Sequence, residues 1–279
     1  MRTALLGRPF FDAGSPGNST ITRLLDISRV PFRDTARFSG RRGPIWKHKA
    51  MLVQLLTHTP NPEQVVAAAA RLCYSDSSIE KLLGQAPDKV AKLLQKILEL
   101  GHFSVLEHAS FTFGIEGISR ACSHQLVRHR IASFSQQSQR YVSHDQLFEM
   151  VIPESISERQ ALSDRCEAHM QSTHELYHDL LVAGIPAEDA RFVLPNAAAT
   201  KLVMTMNARE LQHFFVLRCC RRAQWEIRAM AREMLRLARK ASPLLFSESG
   251  PGCLNGPCPE GAMTCGALQE VREEYARLI

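Results

Sequence analysis

The residues best equipped for chemistry run from Arg128 to Tyr141, RHRIASFSQQSQRY. Three arginines and a histidine bracket a run of hydroxyl and amide side chains with little apolar content. Arginine presents a planar fork of donors suited to phosphate, and Ser and Gln both donate and accept. This is the inventory that holds a phosphorylated heterocycle; a solvated basic loop is the plainer alternative. Upstream, residues 118–127 (ISRACSHQLV) read as a helix, so the segment is expected to be a helix end running into a polar loop. Side chains two apart on a helix point about 200° from each other, which gives Arg128 and Arg130 different clients.

A second informative stretch is Asn207 to Arg218, NARELQHFFVLR. Leu211, Phe214 and Phe215 precede Arg218 at helical spacing, so this arginine emerges from an apolar face. A buried guanidinium without a partner costs several kcal/mol, so it must meet a carboxylate, a carbonyl or a bound anion. Snorkelling, or pairing with a structural Glu, is the competing reading. Arg209 and His213 share one face. Arg209 and Arg218 are separated by about 900° of turn and take opposite sides.

Other candidates are weaker. His102, Ser104, Glu107 and His108 lie between a helix stop at Gly101 and the next strand, without the spacing of a zinc-binding His-Glu-x-x-His helix. His174 and His178 read as a solvent-facing pair. Cys253, Cys258 and Cys265 lack Cys-x-x-Cys spacing, though with Cys219 or Cys220 they number four; free thiols are the simpler state and no metal is assigned. With neither a Gly-x-Gly-x-x-Gly nor a Walker A motif, any nucleotide is held by side chains and helix ends.

These residues need elements to position them. Strands are expected at 51–56, 109–115 and 201–206. Helices are expected at 62–73 with Asn61 as cap and Pro62 at the first position, at 88–100, and at 155–183 ended by Gly184. Another opens at Pro186 and carries Arg191 before Pro195 breaks it. Two more run from the Asn207 cap to about 222 and from 225 to 240. From Pro243 a Cys/Gly/Pro-rich tail of loops is expected. With no internal repeat or linker in 51–240, one mixed α/β domain is the economical reading.

The formal net charge is +6 over 279 residues. Residues 1–50 hold ten Lys and Arg against three Asp and Glu, and the remainder holds 24 against 25. The basic balance thus belongs to an N-terminal extension, which weakens a nucleic-acid reading for the body. That extension has a transit-peptide-like composition; it reads as a disordered tail or as sequence upstream of a true start at Met51, with a possible helical turn at 21–27. No apolar run reaches membrane-spanning length, and no secretory signal precedes the eight cysteines, so a reduced cytoplasmic protein is expected.

Arg128-His129-Arg130, seven residues on, and Ser138-Gln139-Arg140 resemble the signature of the flavin-dependent thymidylate synthases. Residues 101–108 (GHFSVLEH), 190–195 (ARFVLP), 207–209 (NAR) and 223–227 (AQWEI) are similar to further blocks of that family, in order, from about Met51 to Ser242. The resemblance implies an α+β fold, a mixed sheet flanked by long helices in a single domain, assembled as a homotetramer with sites shared between subunits. It implies conversion of dUMP to dTMP, with methylenetetrahydrofolate as one-carbon donor and NADPH as reductant through FAD. Carried over by position, Ser104, Arg128, His129, Arg130, Asn207, Arg209 and His213 would contact FAD. Gln125, Leu126, Val127, Arg128, Gln137, Ser138, Gln139, Arg140, Arg191 and Arg218 would hold dUMP, with His102 near both ligands. Arg218 would be catalytic, stabilising an N3-deprotonated uracil. Ser138, with no base evident beside it, is assigned to binding. Some members carry Glu where this chain has Gln136, which can hydrogen-bond FAD or dUMP but cannot act as a base.

Overall fold

A computed structural model of the chain describes residues 50–142 and 148–278. The expectations for the N-terminal extension, including the turn at 21–27, lie outside the described residues.

Strands β1 (Leu52–His58), β2 (Ser110–Ser119), β3 (Ser133–Gln136) and β4 (Ala199–Asn207) form one sheet in the order β1-β2-β4-β3. Every pairing is antiparallel, which refines the mixed sheet expected. Alternation sends Phe111, Phe113 and Ile115 of β2, and Leu202, Met204 and Met206 of β4, into the core. On the other face Thr112 and Thr205 share a hydrogen bond of 2.9 Å. That face also leaves Leu52, Leu56 and Val203 exposed at 44%, 51% and 41%.

Helices α1 (Pro62–Leu72), α2 (Ile79–Leu83) and α3 (Pro87–Glu99) follow β1, and a 3-10 turn at Phe103–His108 leads into β2. Helix α4 (Arg120–Leu126) links β2 toward β3; α5 (Glu154–Ser157), α6 (Gln160–Val182) and α7 (Ala187–Ala190) precede β4. Helices α8 (Ala208–Arg218), α9 (Trp225–Ala241), α10 (Pro243–Phe246) and α11 (Leu268–Ala276) complete the fold. One apolar cluster joins the inner sheet face to α1, α3, α8, α9, α10 and α11. Phe111, Phe214, Phe215 and Phe246 interlock there by edge-on ring contacts.

Several expectations change. Ile118 and Ser119 belong to β2 rather than to a helix, because a bulge at Gly117 (φ 74°) breaks the alternation that the strand reading relied on. Helix α4 stops at Leu126, so Arg128 and Arg130 lie beyond it and the helical 200° argument does not separate them. The polar loop after them contains β3, an edge strand on β4. Asn61 sits in the left-handed region (φ 46°) and makes no side-chain cap. The helix expected at 155–183 is divided between α5 and α6 at Glu158 and Arg159. Arg191 begins a 3-10 turn after α7, and α8 ends at Arg218, not Arg222. The tail contains α10 and α11, and Phe246, Val271 and Tyr275 belong to the core. His174 is only part-exposed, its ring 5.7 Å from Phe148, so it does not form a solvent-facing pair with His178.

Candidate active site

The apolar face of α8 delivers Arg218 as its spacing predicts. Leu211, Phe214 and Phe215 are fully buried, and the guanidinium leaves them at the last residue of the helix. Its Nε donates to Nε2 of His129 at 3.0 Å, and its Nη2 donates to the Gln125 carbonyl at 3.3 Å. Nη1 makes no protein hydrogen bond among the described residues. Burial lowers the guanidinium pKa from its usual value, so its charge stands in a poorly solvated place.

His129 is buried while its neighbours Arg128 and Arg130 are exposed. Its Nδ1 lies 3.2 Å from a carboxylate oxygen of buried Glu210, and its ring meets Phe214 edge-on at 4.9 Å. Burial pushes the imidazole pKa down, with Arg218 and His213 adding to that and Glu210 opposing it. Because Arg218 Nε can only donate, Nε2 must accept, which leaves the proton on Nδ1 facing Glu210. Asn207 caps α8 by accepting the Glu210 backbone N–H at 2.8 Å.

A buried carboxylate anchors the other side of the site. Glu226, in the first turn of α9, accepts from the Ser119 backbone N–H and from its hydroxyl, each at 2.6 Å. The same hydroxyl caps α4 by accepting from the Cys122 N–H at 3.0 Å. This fixes the start of the helix whose end holds Gln125, and so the carbonyl that takes Arg218. Cys122 is fully buried beside Arg218, and burial raises its pKa well out of reach of ionisation.

Two cavities frame this core. One, of about 610 Å³, is lined by Ile131, Asn207, Arg209, Glu210, His213 and Val216, among others. It unites the Asn207, Arg209 and His213 set. Arg209 also pairs with Glu107 at the surface and lines a further cavity of about 710 Å³ that includes His102 and Ser104. The other, of about 370 Å³, is lined by Arg120, His124, Gln139, Arg191 and Asn196, among others. Arg120 donates one N–H to the Gln137 carbonyl at 3.1 Å, while its buried Nε has no partner among the described residues. Burial and the nearby charge of Arg191 lower the Arg120 pKa. Two guanidinium groups thus line one cavity.

The remaining candidates divide. Leu126 is fully buried in the core, so only its backbone can meet a ligand, and its carbonyl accepts from the His129 N–H. Val127, Arg128, Arg130 and Arg140 are exposed, and Arg140 pairs with Glu188. Gln136 donates to the Thr200 hydroxyl at 3.2 Å, and Ser138 accepts from the Arg140 N–H at 3.1 Å without a base beside it. Glu210, Glu226, Arg120, His124 and Asn196 were not singled out in the sequence. A carboxylate three residues after the Asn207 cap was the available signal for Glu210; Glu226 lay within the 223–227 block, and nothing local marked Arg120, His124 or Asn196. Among the described residues, no group of three or more His, Cys, Asp or Glu side chains could hold a metal ion. Cys219 is committed to the core, its carbonyl accepting from Tyr275 at 2.9 Å.

The family model described as "Thymidylate synthase complementing protein" matches residues 54–244. A flavin-dependent thymidylate synthase of Geobacter sulfurreducens is 59% identical over 230 residues, covering 82% of this chain and 99% of that protein. Those of Clostridium tetani and Pyrococcus abyssi are 47% and 46% identical, covering 82% and 81% of this chain and 98% and 97% of theirs. A crystal structure of the UMP/dUMP methylase PolB from Streptomyces cacaoi, bound with 5-Br dUMP, shares the fold at a TM-score of 0.63. It is 24% identical and covers 71% of this chain and 93% of that one. The family match over 54–244 and the 59% identity to a protein covered over 99% of its length place the chain in the thymidylate synthase complementing protein family, the flavin-dependent thymidylate synthases.

Proposed function

We propose that the protein transfers a one-carbon unit to C5 of dUMP, giving dTMP, with methylenetetrahydrofolate as donor and NADPH as reductant through FAD. In net terms dUMP, methylenetetrahydrofolate, NADPH and a proton yield dTMP, tetrahydrofolate and NADP⁺. The observation that carries this reading is the arginine cavity: Arg120 and Arg191 line one space, where their like charges stand close enough for Arg191 to lower the Arg120 pKa. A nucleotide phosphate offsets the repulsion of the two charges. Gln139 and His124 line the same space and suit the nucleotide's polar edges.

The cavity of about 610 Å³ fits FAD by its donor set. Arg209 and His213 offer N–H groups for a pyrophosphate, and exposed Ile131 and Val216 offer apolar surface for a ring. Arg128, Arg130 and Ser104 complete this set, whereas His129 acts through Arg218 because both its ring nitrogens are engaged. When bound, FAD supplies the hydride chemistry. The protein's part is to orient the uracil and to place the Arg218 charge where negative charge develops on the ring. With little water around it, that field is stronger than in solution. His102, Gln125, Gln136, Gln137, Ser138 and Arg140 position the nucleotide.

The reading extends to a homotetramer with shared sites, supported by the apolar residues on the open sheet face and by Phe192, 83% exposed at the rim of the nucleotide cavity. It also extends to a reducing cytoplasm, supported by eight free thiols. Residues 51–242 are proposed as the catalytic domain, with 1–50 dispensable for turnover. The test is the visible absorption spectrum of the purified protein with and without dUMP. A yellow protein whose flavin bands shift with dUMP is expected; a colourless protein that FAD cannot reconstitute overturns the reading.

A further inference from the structure

We propose that Glu210 is a positioning residue that, through the tautomer of His129, sets the direction in which Arg218 presents its charge. The chain of contacts is continuous, buried at Glu210 and His129 and part-buried at Arg218. Glu210 faces Nδ1 of His129 at 3.2 Å, and Nε2 of His129 faces Nε of Arg218 at 3.0 Å. A carboxylate can only accept, so it selects the Nδ1–H form of a neutral imidazole and leaves Nε2 a lone pair. That lone pair is what Arg218 Nε needs. If Nε2 carried the proton, two N–H donors would face each other at the same distance and the guanidinium would have to turn away. With Nε held by His129 and Nη2 by the Gln125 carbonyl, Nη1 is the end left to face a ligand.

The local sequence supports a role beyond helix capping. Asn207 accepts the Glu210 N–H, but Asn207 is still paired with Ser110 in the sheet, and the Glu210 side chain turns to His129 instead of back to the cap. Its place in the first turn of α8 suits a negative charge. The charged and titratable groups around this imidazole are Glu210, His213 and Arg218 of α8, with Cys122 of α4 behind the guanidinium. Burial, Arg218 and His213 oppose a charged imidazole, and Glu210 favours it.

The test compares Glu210→Ala, Glu210→Gln and Glu210→Asp in the flavin-loaded full chain, and it rests on the dUMP reading for its kinetic arm. A guanidinium misplaced by about 1 Å costs on the order of 100-fold, so Glu210→Ala is expected to lower kcat by about that factor. Its flavin content and its dUMP affinity, read from the flavin spectrum, should stay within about threefold. Glu210→Gln, whose amide can present either its oxygen or its NH₂ to Nδ1, should lose about tenfold. Glu210→Asp should recover part of the loss. In the Ala and Gln variants the acid limb of kcat should move to lower pH, because the group that raises the His129 pKa is gone. Solid-state ¹⁵N spectra of histidine-labelled wild type, assigned with His129→Gln, should show Nδ1 protonated and Nε2 bare. This arm decides the tautomer even if the variants fail to fold or the wild type proves inert with dUMP, a result that would sink the function reading instead. A protonated Nε2 in wild type, or Glu210→Ala with kcat within twofold and an unmoved acid limb, overturns the proposal.

Discussion

Two arginines, Arg218 and Arg120, are held in contrasting ways. Arg218 has its Nε and Nη2 bound to His129 and to the Gln125 carbonyl, on a helix face packed by Leu211, Phe214 and Phe215. Arg120 gives one N–H to the Gln137 carbonyl, has no partner for its Nε among the described residues, and lines a cavity with Arg191. The first is directed before any ligand arrives, the arrangement that lets a charge act on a transition state without reorganising. The second sets two like charges on one cavity, the arrangement that rewards an incoming anion. The protein thus separates field from grip.

The largest effect that tests this contrast is at Arg218. Arg218→Ala should lower kcat by about 100- to 1,000-fold with flavin retained, measured by tritium release from C5-labelled dUMP and by the visible spectrum; unchanged turnover removes it from the chemistry. Next is Arg120→Gln, which should raise the KM for dUMP by about 10- to 100-fold, from the loss of a charge-assisted bond, with kcat nearly unchanged. If both substitutions lower kcat alike, the division between field and grip fails.

The frame beneath both arginines is tested by Glu226→Gln. It weakens the paired acceptance from the Ser119 N–H and hydroxyl, and chemical denaturation should show a loss of about 1–3 kcal/mol. Intact stability would mean that α4 is positioned some other way. His129 gives a pH signature. Its pKa is depressed in the folded state, so the unfolded chain binds more protons in the window just below the ordinary value. Its contribution is therefore fully present above pH of about 6.5 and declines as pH falls from there toward the folded pKa. Thermal melts across that window should show the decline in wild type and a flatter profile in His129→Gln. The smallest effect is expected at Glu107→Ala. Its pair with Arg209 has both side chains about half exposed, so stability should change by less than about 1 kcal/mol.

Local sequence determined a good deal. The spacing of Leu211, Phe214 and Phe215 placed Arg218 on a buried face, because helical periodicity alone sets which side chains share a side. Asn207 as a cap, the helix stop at Gly101 (φ 69°) and the alternation of Phe111, Phe113 and Ile115 are equally local and held in the structure. Tertiary structure decided the rest. Whether Ile118 and Ser119 were strand or helix depended on a bulge and on Glu226, more than a hundred residues away. Whether residues 133–136 were loop or strand depended on pairing with β4. The partners of Arg218 and His129, and the meeting of Arg120 with Arg191, join residues far apart in the chain. Periodicity reports which way a side chain points, but only packing determines what it meets there.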